Sequence, residues 1–166
     1  MAKAKKQMTR KDDIGISEAT RKKIAVQLNK LLANESVLYL KTRKFHWNIV
    51  GKQFHDMHLF LEAEYGILAN TIDEIAERIR QMDFFAQGSM KQFLADATLK
   101  EHEQTAAITP DMLTELLADH SRLICDLRSL IDVFDEEYKD AGGADFLTGL
   151  LRKHEKSAWM IRSTLG

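Results

Sequence analysis

At 166 residues, 45% hydrophobic and 30% charged, with eight Gly and one Pro, the chain has the size and composition of one compact domain rather than of a disordered or collagen-like polymer. A single Cys excludes an internal disulfide, and the sequence holds neither a leader-like apolar segment nor an apolar run of bilayer length, so a reducing intracellular compartment and no membrane partner are expected. The formal net charge of −1, from 24 basic and 25 acidic residues, speaks at first sight against nucleic acid.

In chain order, Lys3, Lys5, Lys6, Arg10 and Lys11 lie in a stretch without acids or an apolar run that could offset the entropy of ordering. Residues 1–15 are therefore predicted to be a flexible basic arm, and residues 16–166 a folded domain. The near-zero charge is a cancellation: the first eleven residues carry +5, which leaves −6 on residues 12–166 of a total of −1. Ser17 is a predicted N-cap, followed by Ile24, Leu28, Leu31, Leu38, Phe45 and Ile49 on one helix face. After Gly51, Met57, Leu61, Tyr65, Leu68, Ile72, Ile75 and Ile79 mark a second long helix, and residues 89–99 a short one. Thr109 and Pro110 read as an N-cap and first helical residue opening a stripe from Leu113 to Tyr138, with Gly142 and Gly143 as its stop and Asp145 as the cap of a last helix from Phe146 to Leu165. The expected fold is all-α: a four-helix bundle with a short extra helix in a long crossover between the second and third helices, as in ferritin-like topology.

On the second helix His58 and Glu62, and likewise Asp73 and Glu77, are i, i+4 pairs. Asp73 and Glu77 repel at that spacing unless a cation stands between them; the alternative is a solvated acidic edge, with Glu77 pairing with Arg80. Glu62 and Asp73 lie roughly 16 Å apart along the axis at about 1.5 Å per residue, so one metal ion cannot touch both pairs of one chain. However, His58 and Glu77 share a sequence midpoint with Glu62 and Asp73, between Ile67 and Leu68. Two copies of the helix packed antiparallel about that point would bring each pair against the other, giving two equivalent sites from half-sites. Imidazoles mixed with carboxylates suit iron or manganese better than magnesium or structural zinc.

A second imidazole is offered by His46 in Phe45-His46-Trp47-Asn48-Ile49-Val50-Gly51, twelve residues before His58. This spacing resembles the Dps family of mini-ferritins, whose ferroxidase ligands follow HWNxxGxxFxxxH, an acid four residues later, then DxxxE. His46, His58, Glu62, Asp73 and Glu77 fall on that pattern position by position, with Phe54 in register, and the likeness continues to 154–160. Glu62 stands where many members have Asp.

The resemblance implies a homododecameric, cytoplasmic, nucleoid-associated shell. Ferrous iron would be oxidised, preferably by hydrogen peroxide, at di-iron sites between twofold-related subunits, and ferric iron mineralised inside. It implies acidic threefold pores near the start of the last helix, where Asp140 and Asp145 fall, and a protective action on DNA. Trp47 could take a stray oxidising equivalent or be a core aromatic. The arm residues Lys3, Lys5, Lys6, Arg10 and Lys11 could contact phosphates without sequence specificity or simply solubilise the chain. Two other readings use the same features: a structural nucleoid protein with vestigial metal sites, and a ferritin-like protein that uses dioxygen. His55, His102, His120 and His154 read as surface or packing residues and Cys125 as a small buried hydrophobe. Glu35 interrupts the first apolar stripe without an account.

Overall fold

The structure, a computed structural model, describes residues 14–104 and 109–166; the lysines and arginine assigned to the arm lie outside them. The described residues are helical and contain no strand: α1 (Glu18–Asn48), α2 (Phe54–Gln81), α3 (Met90–Asp96), α4 (Thr109–Asp132), a π-helical turn (Val133–Glu137) and α5 (Ala141–Leu165). Two antiparallel hairpins, α1 with α2 and α4 with α5, form the bundle, and the segment from Met82 to Gln104 carries α3, which packs against α1. No helix is long and apolar enough to cross a membrane among the described residues.

Each long helix forms for the reason its periodicity predicts. Ile24, Leu28, Leu32, Leu38 and Phe45 from α1 meet Leu61, Leu68, Ile75 and Ile79 from α2, Leu116, Leu123 and Leu127 from α4, and Leu147, Leu150 and Ile161 from α5 in one continuous core. Burying each such side chain contributes about 1.5–3 kcal/mol. At the start of α1, Ser17 Oγ accepts from the Thr20 amide at 3.2 Å, as expected of an N-cap. Ser89 and Gln92 form a full capping box on α3, which explains why a helix of seven residues begins there.

The crossover is held by its backbone. Asn29 Oδ1 accepts from the Gln87 amide at 2.8 Å, and Asn34 Oδ1 accepts from the amides of Thr98 at 2.7 Å and Leu99 at 3.1 Å. Lys44 Nζ donates to the carbonyls of His102 and Gln104. Beneath this segment Lys41, almost fully buried, lies 2.7 Å from Glu115 and 2.8 Å from Asp119, and His102 contacts the other oxygen of Glu115 at 2.7 Å. Burial opposes charge on both carboxyls. For Glu115 the bonds from Lys41 and His102 prevail and lower its pKa, whereas the more deeply buried Asp119, facing the Glu115 charge, is raised.

The end of α4 corrects the sequence expectation. The helix does not run to a stop at Gly142 and Gly143; it passes into the π-helical turn, turns at Lys139 with φ 54°, and both glycines fall in the first turn of α5. Asp140, not Asp145, is the N-cap, with Oδ1 accepting from the Gly143 amide at 2.9 Å. A Cβ on Gly143 would lie 2.3 Å from Asp140 Oδ2 and 2.5 Å from Phe134 Cδ1, so a missing side chain, rather than helix breaking, is what that position requires. Thr109 likewise lies inside α4, its hydroxyl donating to the Val50 carbonyl at 3.0 Å. Cys125 is exposed, not buried. Glu35 acquires an account: it is fully buried and meets His154 at 2.8 Å. Gly143→Ala is expected to cost about 1–3 kcal/mol through this overlap; a thermal melt unchanged from wild type would remove the close approach as the reason for glycine.

Candidate metal half-site

The half-site is built at the hinge between α1 and α2. Phe45, fully buried, anchors the last turn of α1, and the Ile49 amide closes the helix on the Phe45 carbonyl at 2.9 Å. Gly51, at φ 118°, takes a conformation closed to ordinary side chains and turns the chain into α2. His46 and His58 then face one another with ring centroids 3.8 Å apart and planes 20° from parallel. Each Nδ1 lies 2.9 Å from the backbone carbonyl of the other histidine. A carbonyl can only accept, so both Nδ1 atoms carry the proton, and in the neutral rings both Nε2 lone pairs are presented outward. That is the tautomer a metal ligand needs, fixed by the backbone rather than by chance.

On α2, Glu62, Asp73 and Glu77 are all exposed, and none has an ion-pair partner among the described residues. Arg80, which the sequence offers to Glu77, instead donates to the Phe84 carbonyl at 2.8 Å and lies over the Phe85 ring at 4.4 Å. Among the described residues no three His, Cys, Asp or Glu of one chain are grouped to hold a metal ion. The structure therefore brings His46 and His58 together, places Glu62 one turn beyond His58, and leaves Asp73 and Glu77 farther along the same face. Between the two acidic groups that face carries Gly66 and Ala69, whose sequence midpoint is that of the ligand pairs; nothing lies within 4 Å of the Cβ position of Gly66. Small residues at that point let a second helix approach closely.

Trp47 is not a core aromatic: it is 63% exposed. Its indole, Tyr39 and Tyr65 surround the Arg43 guanidinium at 5.5, 5.7 and 5.4 Å, and Tyr65 stands edge-on to His46 at 5.2 Å. Sequence reasoning missed Tyr39 and Arg43 and read Tyr65 only as part of the second helix's stripe, although Tyr39, Arg43 and Trp47 recur every four residues along α1, a signal of one shared face. Asp140 is buried and holds Arg78 through both oxygens at 3.0 Å besides capping α5, so its carboxylate is already engaged; Asp145 is exposed. His55 is exposed as expected, while His120 and His154 lie in the core.

Comparison with known proteins places this geometry. Residues 25–166 match the family model of the ferritin-like domain, so the class is that of ferritin-like helical bundles. The chain is 43% identical over 151 residues to an uncharacterized low temperature-induced protein of Nostoc sp., covering 91% of this chain and 84% of that one. It is 32% identical to DNA protection during starvation protein 2 of Bacillus anthracis, over 87% of this chain and 97% of that one. The crystal structure of the Dps protein from Vibrio cholerae O1, described as a member of a broad superfamily of ferritin-like diiron-carboxylate proteins, superposes with a TM-score of 0.87 at 33% identity, covering 92% of this chain and 95% of that one. The chain belongs to the Dps family.

Proposed function

We propose that the chain is a ferroxidase and iron-storage protein that protects DNA from oxidative damage, working as a homododecameric shell in the cytoplasm at the nucleoid. Ferrous iron is its substrate. Two imidazoles, His46 and His58, and Glu62 of one subunit face Asp73 and Glu77 of a twofold-related copy, so three carboxylates offset most of the charge of two ferrous ions. The observation that carries this reading is the reciprocal imidazole–carbonyl pair, which leaves both Nε2 atoms free to coordinate. The unpaired carboxylates on the same face support it, as does the small-residue contact at Gly66 and Ala69.

The preferred oxidant is hydrogen peroxide. Two ferrous ions held together give one electron each, and peroxide takes two electrons and two protons to leave as two waters, with no hydroxyl radical released. The metals carry the redox change; the chain supplies position and charge. Asp145, exposed near the start of α5, is the acidic residue left to attract ferrous ions at a pore there, since Asp140 serves Arg78 and the helix end. Trp47, exposed beside His46, donates an electron when only one ferrous ion is present. The Lys3, Lys5, Lys6, Arg10 and Lys11 arms, repeated on one shell, would bind DNA phosphates together, without sequence preference and with strong dependence on salt.

Replacing both His46 and His58 with Gly is expected to abolish rapid peroxide-dependent iron oxidation in stopped flow while the shell still assembles; unchanged kinetics would refute the ligand assignment, and faster turnover with dioxygen than with peroxide would refute the oxidant. Gly66→Glu, which meets open space in the single chain, should leave helicity intact yet prevent assembly and, with it, ferrous binding; a monomeric variant that still binds iron tightly contradicts a site shared between copies. Deleting residues 2–11 should eliminate DNA retardation in gels at low salt, and retention by the truncated shell would rule out the arm as the main contact.

A further inference from the structure

The middle of the bundle contains a second polar constellation that the iron chemistry does not use. Glu35 from α1, His154 from α5 and His120 from α4 lie almost wholly out of contact with solvent, in a line. Glu35 Oε1 is 2.8 Å from His154 Nε2, and His154 Nδ1 is 3.0 Å from His120 Nδ1. Two ring nitrogens at that distance share one hydrogen, one ring donating and the other accepting. Burial opposes charge on His154, but the Glu35 carboxylate facing it prevails and raises its pKa. His154 is thus the imidazolium, donating at both nitrogens, and His120 accepts at Nδ1 as a neutral ring. Burial first, and then the His154 charge beside it, push the His120 pKa down to about 3.

The charged surroundings are few. Among the described residues, Glu64 of α2, raised by burial and with the Ser157 hydroxyl beside it, faces His154 from across the core, and its chain neighbour Lys153 of α5 also acts on it; Lys156 acts on Glu64, and Asp119, next to His120 in the chain, is paired with Lys41. No carboxylate is paired with His120 among the described residues, so a second proton would place two imidazolium rings in contact, with Glu35 as the one carboxylate bonded to either of them.

We propose that the Glu35–His154–His120 line is an acid-sensitive lock of the bundle: one imidazolium, donating at both nitrogens, ties α1, α4 and α5 together, and protonation of the second ring forces them apart. The direction follows from linkage. His120 stays neutral in the fold but protonates near its ordinary value of 6.5 once unfolded, so the unfolded chain binds the extra proton, and stability falls as pH drops through the window from 6.5 toward 3. His154 acts oppositely: its contribution is complete below 6.5 and is lost as pH rises through its elevated folded value.

The experiment compares thermal melts of the assembled full-length protein from pH 6.5 to 4.5, at fixed protein concentration, with those of His120→Asn. In that variant the amide oxygen can still accept from His154 Nδ1 but cannot take up a proton. The wild-type Tm is expected to fall more steeply than that of the variant by about 3 °C per pH unit. Glu35→Leu/His120→Leu/His154→Leu removes the three polar groups together and leaves none unpaired, so it provides the same comparison should the single variant fail to fold. Its slope is expected to be shallow as well. A wild-type slope matched by whichever variant folds would overturn the lock.

Discussion

Two backbone carbonyls at the hinge between α1 and α2 decide what the rest of the molecule can do. Each accepts the Nδ1 proton of the histidine across from it, and this exchange sets three things at once: the spacing of the helix ends, the stacking of the rings and the nitrogen each ring turns outward. The buried anchor Phe45 and the left-handed Gly51 serve that hinge. Without the reciprocal bonds each imidazole would choose between two tautomers and several rotamers, and a coordinating pair would have to be ordered by the metal itself.

The long helices were legible because apolar residues at spacings of three and four encode a buried face directly, and the Ser17 cap was legible because its role is local. Features set by contacts distant in sequence were not. Glu35 looks like a flaw in the stripe until His154, 119 residues away, is brought against it. The glycine pair at Gly142 and Gly143 has two physical meanings, stop and close approach, and only the position of Asp140 and Phe134 distinguishes them. Cys125 and Trp47 fall near the margins of apolar stripes, where a small rotation of the helix moves a residue from core to solvent. The five candidate ligand positions were readable from spacing together with the resemblance of the motif to the Dps pattern. The tautomers that suit His46 and His58 to their task depend on carbonyl directions that no residue pattern records.

Charge in this chain is sorted by location. The acidic excess of residues 12–166 includes the open carboxylates of α2, whereas Glu35, Asp119 and Asp140 inside the bundle are matched to His154, Lys41 and Arg78. A buried charge survives only with a partner, and an exposed unpaired one remains available to a cation. The same residue type thus holds the fold together in the interior and presents binding capacity on the surface.

The way α1 grips the crossover has a bearing on divergence. Asn29, Asn34 and Lys44 take hold of amides and carbonyls, groups that every residue except proline presents in the same form. The path of the segment is therefore written mainly in α1, while the crossover's outward side chains are released from defining it. Side chains on that strip of surface can therefore change in charge or polarity, and so change what the protein meets outside, without moving the scaffold that carries the candidate metal ligands.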